Sequence, residues 1–253
     1  MRLSLLYNPF DVIERLAVAS RRRRRFRRLR GTPAAALEHG HIDSLELLEL
    51  LRPAAPAVIY DIGANIGTWT CLAKSLFPAA RVEAFEPLGT HHAAFAQTAA
   101  PFANVHLHGV ALGSAPAVLE MNVMDFSDAS SFLPINDAAS AEFHVHTARR
   151  EAVPVVRLDD FRREHTLPPP DLISLDIQGF ELEALRGAPE CLRHARAVLC
   201  EVSFREYYHG QPLFHEIAAH LGAHGFGLRA VGANTPVGDL IGQTDALFLK
   251  IAP

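Results

Sequence analysis

The chain has 253 residues, 49% of them hydrophobic and 21% charged, with a net charge of −4 when its 14 histidines are neutral. That composition excludes a wholly disordered, collagenous or fibrous protein, and the length suits one large α/β domain or a domain with a small appendage. No uninterrupted apolar stretch approaches the ~20 residues a membrane-spanning helix needs. The average conceals an asymmetry. Only Lys74 and Lys250 are lysines, so 22 basic residues are arginine, and eight of them lie between Arg21 and Arg30. A strongly basic segment precedes a more acidic body.

Residues 1–56 read as a helical, arginine-rich extension. The chain opens Met1-Arg2-Leu3-Ser4-Leu5-Leu6 but meets Asn8-Pro9 almost at once. It lacks the h-region and cleavage site of a secretory signal, so a cytoplasmic protein is expected. Asn8-Pro9 followed by Asp11 and Glu14 predicts a helix start, with a cap, then proline, then acids in the first turn. The arginine run continues that helix. Asp43 is the expected cap of the next one, with Glu46 as its capping-box partner and Leu45, Leu48 and Leu51 as its apolar stripe. Pro53 and Pro56 mark a boundary.

From Ala57 short apolar strands alternate with helical stretches. Strands are expected at 57–60, 81–85, 105–111, 172–176 and 197–201, and helices near 68–77, 90–100, 180–185 and 212–223. The segment 115–158 differs. Residues 118–123 and 153–158 alternate like half-exposed strands around a serine-rich loop. Residues 225–230 and 245–250 close the chain as a hairpin-like pair. Repeated strand–helix units with continuous apolar strands imply a parallel sheet covered on both faces. Cys71, Cys191 and Cys200 form an odd, sparse set without CxxC spacing, which reads as reduced, buried thiols.

The sharpest feature is the turn Asp61-x-Gly63-x-Asn65-x-Gly67 between the first strand and the helix from Thr68. Gly63 permits a tight turn and close approach to a ligand. The helix start presents unpaired N–H groups and a positive dipole to an anion. Asp61 can accept from an ammonium group. Glu86 ends the next strand, where an acid in a doubly wound fold hydrogen-bonds a ribose. An amino-acid end and a ribose together point to S-adenosylmethionine. Asn65 occupies the second glycine position of the dinucleotide fingerprint, which disfavours NAD.

The turn Asp61–Thr68, Ala84-Phe85-Glu86-Pro87, the run Leu175-Asp176-Ile177-Gln178-Gly179-Phe180 through Ala188, and Glu201-Val202-Ser203-Phe204 together resemble the FkbM-type S-adenosylmethionine-dependent methyltransferases. The resemblance runs from about Ala57 to Ile251. It implies a class I, Rossmann-like α/β fold for residues 57–253: a seven-stranded sheet whose last strand is inserted antiparallel. It also implies O-methylation of a hydroxyl on a sugar, glycan or secondary metabolite. Asp61, Gly63, Ala64, Asn65, Gly67 and Thr68 would then hold the methionine end, Glu86 and Pro87 the ribose, and Val110 and Ala111 the adenine. Gln178 departs from the family's Asp-x-Glu-Gly pattern, so no role for that carboxylate carries over.

Asp176 and Glu201 end two strands at the crevice, and with His209 they are the candidate general bases for removing the acceptor proton; Asp176 is also a candidate for the cofactor amine. Tyr207 to Gln211 is expected to form part of the acceptor wall, and 115–158 to cover the site. His106/His108 and His144/His146 would each share one face of a strand, but neither pair has a third ligand at a diagnostic spacing, so no metal site is assigned. The run Arg21–Arg30 reads by default as a solvated helical face. Contact with anionic lipid, helped by Phe26 and Leu29, comes second, and nucleic acid last. Asp176-Ile177-Gln178-Gly179 stands where base-modifying enzymes often carry Asn/Asp-Pro-Pro-aromatic, which also argues against nucleic acid. The rivals are an NAD-dependent oxidoreductase on a similar sheet and a non-catalytic membrane- or nucleic-acid-binding module.

Overall fold

The computed structural model describes residues 9–38, 40–237 and 240–251. The expected cap Asn8 lies outside them. Helix α1 (Pro9–Arg28) starts at the expected proline and contains most of the arginine run. A short helix α2 (Leu45–Glu49) follows. The expected capping box does not form. Ser44 holds the cap position without a side-chain bond, and the two acids have other partners. Asp43 pairs with Arg25, and Glu46 with Arg25 at 2.9 Å and Arg28 at 3.4 Å.

Then the alternation begins, through β1 (Val58–Ile62), α3 (Thr68–Leu76), β2 (Arg81–Phe85), α4 (Gly89–Ala99) and β3 (Val105–His108). The expected strand 105–111 divides. Its first part stays in the main sheet, and Ala111–Leu112 (β4) joins a small second sheet with β5 (Ala117–Met124) and β6 (Thr147–Val156). Helix α5 (Asp137–Phe143), unforeseen in the serine-rich loop, lies between β5 and β6, and Asn136 caps it by accepting from Ala139 N–H at 2.8 Å. Next come α6 (Leu158–Glu164), β7 (Leu172–Leu175), α7 (Glu181–Arg186), α8 (Pro189–His194), β8 (Ala197–Ser203) and α9 (Phe214–Ala223). The chain closes with β9 (Phe226–Val237) and β10 (Leu240–Lys250), both longer than expected.

Among the described residues seven strands form the main sheet, in the order β3-β2-β1-β7-β8-β10-β9. The pairs from β3 to β8 are parallel, and β10 runs antiparallel to both β8 and β9. This is the expected sheet with its inserted antiparallel last strand. Strand order reverses beside β1, so the carboxyl ends of β1 and β7 flank a crevice, the usual ligand position in open α/β sheets. β7 is buried along its whole length and β1 along four of its five residues, as parallel strands covered on both faces must be.

Packing crosses the boundary expected at residue 56. Leu29, Ile42, Leu45, Leu48 and Leu51 share one hydrophobic cluster with Ile59, Leu72, Val82 and Leu247. The two lysines both serve the scaffold. Lys74 Nζ donates to the carbonyls of Pro78 at 2.8 Å and Ala80 at 2.6 Å, closing α3. Lys250 Nζ donates to Leu192 and His224, and lies 4.3 Å from the Phe226 ring centroid.

Leu48 is fully buried, so Leu48→Ala should lower the unfolding free energy by about 2–5 kcal/mol in a denaturant titration. A loss under about 0.5 kcal/mol would mean that this segment does not share the core.

Candidate active site

The turn after β1 is built from backbone constraints. Gly63 (φ 88°) and Gly67 (φ 86°) occupy left-handed conformations, as does Asn65 (φ 45°), a residue type that tolerates them. The Gly63 and Ala64 N–H groups both donate to the Phe85 carbonyl at 3.0 Å, tying the turn to the end of β2. No side chain caps α3 at Gly67. Instead, a Cβ on Gly67 would meet Phe95 at 3.0 Å, so this glycine admits α4 rather than a ligand.

A cavity of about 740 Å³ opens at the crevice, within the range of small-molecule sites. Of the expected cofactor residues, Asp61, Gly63, Ala64, Asn65, Thr68, Glu86, Pro87, Val110, Ala111 and Asp176 line it, and Gly67 does not. Glu86 Oε2 accepts from Asn65 N–H at 3.0 Å and Oε1 from Leu88 N–H at 2.8 Å, so two backbone groups aim its carboxylate. His91 Nδ1 lies 3.3 Å from the same carboxylate. Asp61 is 3% exposed and accepts from Thr70 Oγ1. Burial pushes its pKa up to about 7, with Thr70 opposing the shift and Glu86 adding to it.

The side of the cavity beyond β7 has an acid floor. Asp176 follows β7, and Glu201 lies in β8. Gln178 Nε2 donates to both, at 2.7 Å to Asp176 Oδ1 and 3.0 Å to Glu201 Oε2. Gln243 Nε2 donates to Glu201 Oε1. Asp245 stands in β10 directly across from Glu201. It accepts from Ser44 Oγ at 2.5 Å. Desolvation deep in the fold, then Asp245 and Glu181, push Asp176 up to about 7. The same causes, with Asp176 itself, hold Glu201 well above the ordinary carboxylate range. Burial, then Asp43, raises Asp245. Asp176 does not cap the next helix. The cap position is Phe180, without a side-chain bond, while Glu181 fixes the turn before the helix by accepting from the N–H groups of Ile177 at 3.0 Å and Gly179 at 3.1 Å.

His209 does not join this group. It is exposed, does not line the cavity, and its N–H donates to the Pro134 carbonyl. Its neighbours Tyr207 and Tyr208 do line the cavity, and the Tyr208 hydroxyl lies 3.1 Å from Gln178 Oε1. Segment 115–158 covers the site as expected, through Met121, Phe126, Asp128, Ser130, Phe132 and residues of α5. The histidine pairs separate. His108 Nε2 sits 2.7 Å from Glu83, while His106 is exposed. His144 ends α5 in a left-handed turn, so neither it nor His146 lies in a strand. Among the described residues no group of three or more His, Cys, Asp or Glu is placed to hold a metal ion, and no helix is long and apolar enough to cross a membrane.

Among the cavity residues that sequence reasoning missed are His91 from α4, His41, Asp43 and Ser44 from the extension, and Gln243 and Asp245 from β10. For the last two a signal existed. An antiparallel final strand must begin where the parallel strands end, which puts its first residues at the crevice. Nothing local marked His41, Asp43 or Ser44.

An α/β sheet with a glycine turn beside β1 and an acid floor beyond β7 defines a Rossmann-like fold. Residues 61–228 match the Methyltransferase FkbM domain, and the chain belongs to that family. It is 26% identical over 163 residues to the hexuronic acid methyltransferase AglP of Haloferax volcanii, a match covering 64% of this chain and 62% of that protein. It is 28% identical over 173 residues to the 2-O-methyltransferase NoeI of Sinorhizobium fredii, covering 66% of this chain and 71% of that one. Against solved structures the likeness is weak. Magnesium protoporphyrin IX methyltransferase from Synechocystis PCC 6803 covers 90% of each chain at 14% identity and a TM-score of 0.45.

A carboxyl whose folded pKa lies above its unfolded value carries a proton in the native state that the unfolded chain has released. Stability therefore falls as pH rises from the unfolded to the folded value. For the buried Asp61 that window runs from about 4 to about 7. Denaturant titrations of the ligand-free protein should show a component of declining stability between pH 4.5 and 7.5 that Asp61→Asn removes. An unchanged slope in that variant would contradict the burial of Asp61.

Proposed function

We propose that this chain transfers a methyl group from S-adenosylmethionine to a hydroxyl of a sugar, glycan or secondary metabolite. The observation that carries the reading is one cavity with two halves, in which the Asp61–Thr68 turn with Glu86 adjoins the floor of Asp176, Gln178 and Glu201. The relatives' names, a hexuronic acid methyltransferase and a 2-O-methyltransferase, favour a sugar hydroxyl.

The residues fit the cofactor. Glu86 presents a carboxylate already aimed by two backbone N–H groups, suited to ribose hydroxyls. Asn65 Oδ1 is a buried polar atom without a hydrogen-bond partner at this edge of the cavity. Asp61 and the Gly63–Asn65 backbone would hold the amino-acid end, and Val110 and Ala111 the adenine. When bound, S-adenosylmethionine supplies an electrophilic methyl group on its sulfonium.

The protein's work is then positioning and proton removal. Asp176 is the proton acceptor in this scheme. Its side chain opens to the cavity, and its pKa near 7 matches a base acting at neutral pH. Both oxygens of Glu201 accept from glutamine side chains, so it fixes the geometry of the pair and shares the proton. Gln178, through its contacts with both acids and Tyr208, holds the three groups in register.

S-adenosylhomocysteine should bind in a calorimetric titration while NADH should not, and absence of the former at millimolar ligand would end this reading. Glu86→Ala should weaken that binding by about 1.5–3 kcal/mol, the cost of a charged hydrogen bond. In a methyl-transfer assay Asp176→Asn should lower kcat by roughly 10²–10⁴-fold, the usual worth of a general base. His209→Ala should leave kcat unchanged, and a comparable loss there would move the base to the other side of the loop.

A further inference from the structure

The cavity wall is one-sided in charge. Its described residues include Asp43, Asp61, Glu86, Asp128, Asp176, Glu201 and Asp245, but no lysine or arginine; its basic side chains are His41, His91 and His144. In a protein with 24 Lys and Arg this is a marked segregation. The arginines stand elsewhere. Arg25 and Arg28 lie on the outer side of α2, against Asp43, Glu46 and Glu49.

The distribution within the cavity is more telling than the total. Asp61 and Glu86 belong to the cofactor half, and Asp43 has Arg25 as its counter-charge. On the acceptor side Asp176, Glu201 and Asp245 take their hydrogen bonds from Gln178, Gln243 and Ser44, which are all neutral donors. Among the described residues no lysine or arginine stands here to meet an incoming carboxylate or phosphate. An anion drawn into the cleft would lose water with no fixed cation to replace it, and each floor acid that is ionised would repel it. The rest of the acceptor wall suits an uncharged ring. Phe126, Phe132, Phe143 and Tyr208 supply apolar faces. Tyr207, 3% exposed, adds a further aromatic side chain to the wall.

We propose that the acceptor half admits neutral or amino-bearing sugars and excludes anionic ones such as hexuronates and sugar phosphates, with Asp245 as a specificity-determining residue. A protonated amine beside the accepting hydroxyl would find three acids and draw them toward their ionised form, and a neutral ring would find the aromatic faces. This rests on the methyl-transfer reading and narrows it to one substrate class.

The test is saturation-transfer NMR with methyl β-glucosaminide, methyl β-glucoside and methyl β-glucuronide, run with and without S-adenosylhomocysteine. The expected order is glucosaminide at least as tight as glucoside, and glucuronide weaker than glucoside by roughly tenfold or more. Asp245→Asn should narrow the last gap. Any other order, or no binding by all three, overturns the proposal, and an unchanged gap in the variant removes Asp245 from it. The two readings fail separately. Protein that does not bind S-adenosylhomocysteine defeats the methyl-transfer reading, whereas protein that binds it and prefers the glucuronide defeats only the charge selection.

Discussion

A Cβ on residue 63 would lie 2.0 Å from the Asp176 carbonyl oxygen, so only glycine lets the turn after β1 meet the end of β7. The contact is backbone against backbone. Asp176 N–H donates to the Ile62 carbonyl at 3.1 Å, and Gly63, at φ 88°, bends the chain away immediately afterwards. Everything chemical hangs on this closeness. It brings the Asp61–Thr68 turn beside Asp176, and through Gln178 beside Glu201. The sequence suggested that Gly63 serves approach to a ligand. What it approaches first is the neighbouring strand, and the ligand crevice is the consequence.

The acid floor is costly to fold. Buried carboxyls lose hydration, and here they also repel one another, which is why their pKa values rise rather than fall. Protonation and neutral amide donors offset part of that cost. Gln178 is central to this offset, and its own backbone is strained, with φ at 54°. A non-glycine residue in that region costs of order 1–3 kcal/mol and persists only where surrounding contacts hold it. Four contacts do so. Its amide reaches Asp176 and Glu201, its side-chain oxygen faces Tyr208, and its carbonyl accepts from Ser131 Oγ at 2.7 Å. A glutamate there would have brought a further carboxylate into the same cluster. The glutamine supplies donors instead, so the departure from the family pattern has a local electrostatic reason.

The basic segment is joined to the body by two kinds of force of unequal size. Arg25 and Arg28 pair with acids on and before α2, and such exposed pairs contribute only ~0.2–1 kcal/mol each. Burial of Leu29, Ile42, Leu45 and Leu48 against the β1–α3 layer contributes about 1.5–3 kcal/mol per side chain. Apolar packing therefore dominates, and the arginines orient what the leucines attach. The same segment delivers Asp43 and Ser44 to the cavity, where Ser44 bonds Asp245. It is a wall of the site, although its composition alone reads as an appendage.

The sequence by itself determined the sheet, the glycine turn after β1 and the acid after β7, while Glu201, expected to end its strand, lies inside β8, which continues to Ser203. These follow from signals a few residues long: apolar runs of strand length, glycines where φ must be positive, and acids that end strands. The same reading placed Glu86 beside the crevice from its position after β2. Tertiary structure alone decided which residues meet across long separations. Ser44 and Asp245 stand 201 positions apart, and neither carries a local mark of the other. His209 looked equivalent to its tyrosine neighbours until the loop's path turned it outward. Likewise the strand expected through Ala111 broke after His108, because residues 111–112 pair with β6 instead of β2. Periodicity reports which face of an element is apolar, but the choice of partner is settled by the chain's competition for the same buried space, and that is a property of the whole fold.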